Sequence, residues 1–409
     1  MEGVQWVDEK APNSFWWLTV DSSREHSRRQ TRRPSLPLAL LRQNVAPFLQ
    51  FGAPLPNQLY ALGGRNNQHD VLDVVEMFNT WIGRWVKCPN MLASRGGCAA
   101  ASLPCGKLMV TGGYDVHGIV HGVLQSCEVF DPAQQAWSEG SSLHRARWGH
   151  GCASAGNLVY AVGGCSPRSG FEPNEASMET LQSCEVYDPS DGMWRTGPDL
   201  CVPRAGARVV AIGENVAVVG GCRDVFGQAE VLASVELFDR RAGTWSLLDL
   251  LLSTPRTTAA ATAVDDRRIL VMGGAPALAS VEIYSLPGHK NASRGNSTST
   301  ERPERSLIGD MGEGRMGCQA VTMDLPIMDG SYPLCSRRCV VVVGGERERG
   351  TDGQEDQTEG QCSSVLVYDA EADYWRPMDW FPEIPTPRTA MALCVSPGKV
   401  SPLFAQLCA

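Results

Sequence analysis

The stretch LVYAVGG at residues 158–164 contains the pattern that decides the fold, a short apolar run closed by two glycines. It is followed by EVYD at residues 185–188, and Trp194 stands seven residues after Tyr187. The apolar run is typical of a strand buried on both faces, and the glycines permit a positive φ or a close backbone approach. The alternation of polar, apolar, aromatic and acidic residues in EVYD predicts a second strand that runs into a turn.

The same pattern occurs six times in the 409 residues, with glycine pairs at 63–64, 112–113, 163–164, 220–221, 273–274 and 344–345. In five repeats a tryptophan follows the aromatic residue by seven positions, which predicts adjacent antiparallel strands joined by one tight connection. The fifth repeat has Asn291 at that position and lacks this marker of its fourth strand. Units of about 50 residues with four strands must stack on their neighbours. We therefore predict an all-β, six-bladed β-propeller with four antiparallel strands per blade.

The repeats divide the chain into three parts. Residues 1–41 match nothing in the pattern and are predicted to be a short, irregular and partly disordered N-terminal extension, residues 42–396 form the propeller, and residues 397–409 are a C-terminal tail. Two polar segments, 285–312 and 346–361, interrupt the period and are predicted to be solvated loops.

A ring of blades needs its ends fastened. Residues 388–395 have the pattern of the first strand of a repeat, but no glycine-pair strand follows them. We therefore predict that this segment completes blade 1 from the C-terminal side. Residues 40–51, directly upstream of the first glycine pair, are the competing candidate.

An arginine precedes the predicted first strand of each repeat: Arg95, Arg147, Arg204, Arg256, Arg315 and Arg388. Up-and-down strands place these arginines on the same face as the loops that follow the glycine pairs, which carry Arg65, Asn67 and Tyr114. Those loops vary in length, and variable loops on a rigid scaffold are where binding specificity usually lies. Because guanidinium groups bind carboxylate and phosphate well, we predict that this face binds an acidic or phosphorylated peptide. The alternative is that the arginines fasten neighbouring blades through backbone carbonyls and acidic side chains.

Together, the glycine pair, the aromatic residue, the tryptophan and the arginine resemble the kelch repeat, six times over residues 42–396. Residues 59–67 also resemble the corresponding stretch of an oxidative-stress sensor among the kelch-like proteins. In that sensor, arginines at some of these repeat positions and the Arg and Asn after the glycine pair bind an acidic peptide loop. The resemblance therefore implies partner-binding roles for Arg65, Asn67, Arg95 and either Arg204 or Arg147.

The resemblance also implies a function. Many kelch propellers are substrate receptors of cullin-type ubiquitin ligases and carry a BTB and a BACK domain, neither of which fits in residues 1–41. A ligase role is therefore expected to use a separate adaptor. Other family members are enzymes, resembling galactose oxidase or a sugar mutarotase, or bind the actin cytoskeleton, and these remain alternatives. Only seven histidines are present, and no copper ligand set or cofactor motif can be assembled.

Composition narrows the remaining possibilities. A net charge of −9 provides no general attraction to nucleic acid, and no apolar run is long enough to span a membrane. The N-terminus carries acids where a signal peptide needs bases. Fifteen scattered cysteines predict reduced thiols. We expect a non-enzymatic protein-interaction scaffold of the cytoplasm or nucleus, without metal or cofactor.

Overall fold

The computed structural model describes residues 55–80, 83–172, 174–286, 303–327, 335–347, 360–377 and 380–398. These residues form six four-stranded antiparallel sheets, the blades of a propeller, together with two short two-stranded ribbons. The predicted extension 1–41 lies outside the described residues, and so does the predicted tail 397–409 apart from residues 397 and 398, which belong to the strand Ala392–Gly398.

The blades are numbered in chain order, and their strands are given from the axis outwards. The strands are Ala392–Gly398, Leu55–Leu62, Val75–Asn79 and Arg84–Lys87 in blade 1; Ala99–Ser102, Leu108–Thr111, Cys127–Asp131 and Ala136–Gly140 in blade 2; and Gly151–Ala155, Leu158–Val162, Cys184–Asp188 and Met193–Thr196 in blade 3. They are Arg208–Ile212, Asn215–Val219, Val235–Asp239 and Thr244–Leu247 in blade 4; Ala260–Ala263, Arg268–Met272, Val281–Ser285 and Glu304–Ile308 in blade 5; and Gln319–Ile327, Cys335–Val343, Val365–Asp369 and Tyr374–Trp375 in blade 6. The ribbons pair Cys165–Pro167 with Met178–Thr180 and Cys222–Arg223 with Glu230–Val231, and the helical segments are an α-turn at Gly118–His121 and a 3-10 turn at Glu175–Ser177.

Neighbouring blades cover the second strand of each blade on both faces, and burial decreases from there towards the outermost strand. All five residues of Asn215–Val219 are buried, whereas most of Thr244–Leu247 is exposed. The packing joins blades: Met109 of blade 2 lies in one apolar cluster with Ala161 and Trp194 of blade 3. Apolar runs closed by glycine pairs are therefore the second strands of the blades, as predicted.

The constant interval of seven residues places each tryptophan directly opposite the aromatic residue that precedes it. The cross-strand pairs are Phe78–Trp85, Phe130–Trp137, Tyr187–Trp194, Phe238–Trp245 and Tyr368–Trp375. Each indole N–H also donates to a backbone carbonyl in the connection that enters its blade, at 2.8–3.1 Å, and the acceptors are Pro382, Pro89, Ser141, Pro198 and Gly309. The tryptophan therefore ties two neighbouring blades together.

Blade 5 is tied to blade 4 by different residues. Its fourth strand, Glu304–Ile308, places Arg305 opposite Tyr284. The Tyr284 hydroxyl donates to the carbonyl of Leu250, and Arg305 Nη1 donates to the carbonyl of Leu251 at 2.7 Å. The prediction that residues 285–312 are entirely loop is wrong at this strand, because a polar strand without tryptophan carries no sequence marker.

The ring is closed by the C-terminal segment, as predicted. Ala392–Gly398 pairs antiparallel with Leu55–Leu62, with Cys394 opposite Tyr60. Neighbouring innermost strands contact each other all the way around the axis. The competing candidate, residues 40–51, lies outside the described residues.

A cycle of six backbone hydrogen bonds encircles the axis. It is formed by the residues two positions after the six arginines, and we call it the axial ring: Gly97, Gly149, Gly206, Thr258, Gly317 and Ala390. Each N–H donates to the carbonyl of the member in the preceding blade, at 2.8–3.3 Å. All six have φ between +51° and +68°, a region that favours glycine, and Thr258 and Ala390 adopt it despite their side chains. The bonds fix each blade to the next at the axis.

Candidate functional site

One face of the propeller carries both the arginine connections and the loops after the glycine pairs. The residue after each glycine pair forms a β-bridge with the residue after an arginine: Arg65–Thr389, Gly96–Tyr114, Trp148–Cys165, Ala205–Cys222, Thr257–Ala275 and Met316–Glu346. We call the surface formed by these connections, the axial ring and the loops after the glycine pairs the loop face. The predicted convergence of these segments is thus observed.

The six arginines are inside the blades, with 0–1% of each residue exposed. In blade 4, Arg204 Nη1 donates to the carbonyls of Gly220 and Ser234 at 2.9 and 3.1 Å, and Nη2 contacts the Ser234 hydroxyl and the Glu236 carboxylate. The same three kinds of partner, a glycine carbonyl, a second backbone carbonyl and a glutamate carboxylate, surround the guanidinium groups of Arg95, Arg147, Arg256 and Arg388. The prediction that the six guanidinium groups are presented to a ligand is therefore corrected: they fasten connections to blades, the alternative drawn from the sequence.

Five of these arginines face a glutamate two residues before the aromatic residue of the third strand: Glu76, Glu128, Glu185, Glu236 and Glu282. The carboxylate does more than balance the charge. Glu128 accepts the backbone N–H groups of Leu92 and Ala93 at 2.6 and 3.0 Å, which fixes the connection from blade 1. Burial lowers the pKa of Arg204, and the facing Glu236 opposes that shift.

Blade 6 departs from this pattern, because Leu366 occupies the glutamate position. The carboxylate comes instead from Glu313, two residues before Arg315 in the same connection. Arg315 also donates to the carbonyl and hydroxyl of Ser364 at 2.7 and 2.6 Å, and Arg347 pairs with the second oxygen of Glu313. The irregular third strand of this repeat was the signal that could have identified the relocated acid.

The three remaining predicted residues lie on the loop face but differ in accessibility. The Arg65 side chain is 34% exposed and has Glu346 at 3.9 Å. Asn67 is exposed, and its Oδ1 accepts the backbone N–H of Gln361 at 2.7 Å. Tyr114 is buried against Gly96, and burial raises the pKa of its hydroxyl. Arg65 and Asn67 are therefore the members of the predicted set that a partner can reach directly.

An apolar cluster on the loop face was missed in the sequence. Trp148, Phe226, Val120, Val123 and Val225, from the loop-face segments of blades 2, 3 and 4, pack over the buried residues Cys165, Met178 and Ala205, and we call them the apolar patch. The Trp148 and Phe226 rings meet edge to face, with centroids 6.3 Å apart. Trp148 follows Arg147 directly, where the other repeats have Gly96, Ala205, Thr257, Met316 and Thr389, and this aromatic residue was the available signal.

Further apolar side chains are exposed on the same loops. Val116 is 71% exposed and Phe171 is 66% exposed, in blades 2 and 3, and Ile119 and Val231 are also exposed. The indole N–H of Trp148 is buried without a hydrogen-bond partner among the described residues. By contrast, the loop face of blades 1 and 6 carries Arg65, Glu346 and Arg347. The apolar patch and the Arg65–Glu346 pair therefore lie on different blades of the loop face.

The fold and this face define a six-bladed β-propeller of repeated four-stranded units. A family model described as the KLHDC2/KLHL20/DRC7 Kelch-repeats domain matches residues 52–274, and the chain belongs to the kelch-repeat family. Kelch-like protein 25 of Xenopus tropicalis is 28% identical over 277 residues, which are 68% of this chain and 39% of that protein. Human Kelch-like protein 34 is 31% identical over 158 residues, 38% of this chain and 24% of that protein. The chain thus spans well under half the length of these relatives.

A solved structure described as that of YjhT shares the fold. Its TM-score is 0.53 at 14% sequence identity, and the match covers 79% of this chain and 97% of that one. Among the described residues of the present chain, no group of three or more His, Cys, Asp or Glu side chains is arranged to hold a metal ion. None of the described helices combines the length and apolar character needed to cross a membrane.

Proposed function

We propose that the protein is a non-enzymatic protein-interaction module that binds a partner protein or peptide on the loop face. The observation that carries this proposal is the apolar patch with its exposed extension at Val116, Ile119 and Phe171. Several exposed apolar side chains on one face of a domain are typical of an interaction site. Membership of the kelch-repeat family supports the same conclusion, since its propellers are generally interaction domains.

The apolar patch has the composition of an interface centre. Aromatic residues dominate binding energy where they lie in a packed, desolvated region, surrounded by a polar rim. Trp148 is held rigidly by edge-to-face contacts with Tyr114 and Phe226. Its indole N–H has no hydrogen-bond partner among the described residues and is a further donor for a bound partner. We therefore place the main contact at blades 2 to 4.

The charged side chains of the loop face indicate where an acidic or phosphorylated partner would bind. Basic side chains there already have carboxylate neighbours: Arg145 pairs with Glu179, and Arg223 pairs with Glu230. The pair between Arg65 and Glu346 is the longest of these, at 3.9 Å, and Arg65 Nε has no hydrogen-bond partner among the described residues. An acidic group of the partner is therefore proposed to bind at Arg65 and Asn67, in exchange for Glu346, while the apolar patch supplies most of the affinity.

The ligase role is the finer part of the proposal. We propose that the propeller selects substrates for a cullin-type ubiquitin ligase in the cytoplasm or nucleus, with the contact to the cullin made through a separate adaptor. This role is supported by membership of the kelch-repeat family and by the presence of the loop face on a rigid ring of blades. Because the matched relatives are much longer than the aligned region, this role is tested separately from partner binding.

Proximity labelling in cells tests the binding face. Phe171→Asp and Val116→Asp each place a charge in the exposed apolar region with little effect on folding, because both side chains are largely in solvent. Met193→Asp is the matched control, since Met193 is 59% exposed but lies on the outermost strand of blade 3. We expect the two loop-face variants to lose the same partners and the control to keep them. Identical partner sets in all three would refute the binding face.

Co-purification of a cullin with the wild-type protein tests the ligase role. If partners depend on Phe171 but no cullin is recovered and partner half-lives do not change when the protein is removed, the interaction module stands and the ligase assignment is wrong.

A further inference from the structure

The innermost strands of all six blades line a central cavity of about 430 Å³. Each of these strands begins four residues after one of the buried arginines, and five of the six starting residues are small or neutral. The starting residues are Ala99, Gly151, Arg208, Ala260, Gln319 and Ala392. Arg208 is therefore a single charged side chain in a layer that is otherwise uncharged.

Arg208 has only neutral partners. Its Nε donates to the carbonyl of Ala259 in blade 5, and its Nη2 donates to the carbonyl of Cys318 in blade 6 at 2.9 Å. Its Nη1 makes no hydrogen bond within the described part of the chain. None of the described residues that line the cavity is acidic. This differs from the six buried arginines, each of which has a carboxylate beside it.

The charge state of the cavity wall follows from its titratable groups. Burial lowers the pKa of Arg208 to about 10, so the guanidinium is still protonated at neutral pH. Burial holds the pKa of His150 well below 6.5, and it raises the pKa of the Cys98 and Cys394 thiols to about 11, so these groups are uncharged. The described wall therefore carries one positive charge and no negative one.

Arg208 is half-buried in the cavity wall, so an anionic partner would offset the hydration that its guanidinium has lost, and two carbonyl groups supply only part of that. The cavity has room for an anion far larger than a water molecule, and Nη1 is free to donate to it. The neighbouring wall offers the Gln319 amide and the paired hydroxyls of Thr262 and Thr322. We propose that the central cavity binds a small oxyanion, bearing a phosphate or carboxylate group, at Arg208. This site is separate from the loop face.

Thermal unfolding in sodium phosphate, compared with sodium chloride at equal ionic strength, tests the site directly. Ligand that binds only the folded state raises the melting temperature, so phosphate is expected to give a saturable increase of several degrees in the wild-type protein. Sodium acetate and sodium citrate, tested in the same way, distinguish a carboxylate ligand from phosphate. Arg208→Gln is expected to lose the increase. The matched control Arg240→Gln, which removes an arginine of blade 4 paired with Glu214 on the outside, is expected to keep it.

A second variant keeps the test decisive if Arg208→Gln does not fold. Gln319→Glu places a carboxylate beside the Cys318 carbonyl that Arg208 contacts, and so supplies an internal anion. We expect Gln319→Glu to melt higher than the wild type in chloride and to respond less to the oxyanion salts. If none of the three salts gives a saturable increase in the wild type, or if Gln319→Glu neither stabilises the protein in chloride nor reduces the response, Arg208 is only a brace between blades and the proposal is wrong.

Discussion

Replacing Glu236 by leucine removes the carboxylate that faces Arg204, and it copies the residue that blade 6 has naturally at this position. Glu236 is fully buried and contacts Arg204 Nη2. It also accepts the backbone N–H groups of Cys201 and Val202 at 2.7 and 3.1 Å. Leucine therefore leaves one buried charge and two backbone donors without their partner.

The magnitude follows from those three losses. Breaking a buried ion pair by removing one partner destabilises a protein by about 3–5 kcal/mol. Each lost backbone acceptor adds about 1 kcal/mol where water can partly replace it. The sum is about 6 kcal/mol, and for an unfolding entropy of about 2 cal/mol/K per residue this lowers the melting temperature of a propeller of this length by roughly 9 °C.

Blade 6 indicates how the loss can be repaired. There the carboxylate comes from Glu313, two residues before Arg315, and Val202 is the equivalent position before Arg204. We expect Val202→Glu combined with Glu236→Leu to recover at least half of the lost melting temperature in differential scanning calorimetry. Val202→Glu alone is the control for the inserted acid. A double variant that melts no higher than Glu236→Leu alone would refute the interpretation that either position can supply the charge.

Three further predictions concern other parts of the structure. Trp194→Phe removes the donor to the Ser141 carbonyl while retaining an aromatic ring. We expect it to reduce the free energy of unfolding, measured by urea titration, by about 1 kcal/mol. An unchanged free energy would mean that this hydrogen bond does not tie the blades. In native thiol labelling followed by mass spectrometry, we expect Cys105 and Cys201, the exposed thiols among the cysteines whose side chains the structure describes, to react before the buried ones. Rapid labelling of the buried thiols would contradict the packing. Although burial alone raises the pKa of Asp369, backbone N–H groups and two guanidinium groups lower it below 3.8 overall. Its contribution to stability is therefore present above pH 4 and lost as the pH falls through the lowered value, so Asp369→Asn should flatten acid unfolding curves, and identical curves would count against that role.

The blade architecture could be predicted because local geometry dictates the spacing of its repeated sequence motifs. One tight connection fixes the interval from Tyr187 to Trp194, and the same interval recurs wherever that connection recurs. The fourth strand of blade 5 could not be predicted in this way. Arg305 replaces the tryptophan after a long insertion, and a polar strand at the rim needs no apolar pattern.

The location of the six arginines could have been decided from the sequence but was not. A glutamate stands two residues before the aromatic residue in five repeats, as in Glu185 before Tyr187, and its recurrence with an arginine in the same repeats indicates an internal pair. Arginines paired internally are not available to a ligand. The apolar patch lies beyond such reasoning, because Trp148 and Phe226 come from different blades and meet only after the ring has closed.

The strand Ala392–Gly398 has a consequence for biosynthesis. It is the last described segment to leave the ribosome, yet it is the innermost strand of the first blade, and it pairs with Leu55–Leu62. Until then the nascent chain holds an incomplete sheet whose unpaired edge is open to association with other chains. Folding of the ring is therefore completed only after the strand Ala392–Gly398 has been translated, and the time before that point is when the chain depends most on protection from aggregation.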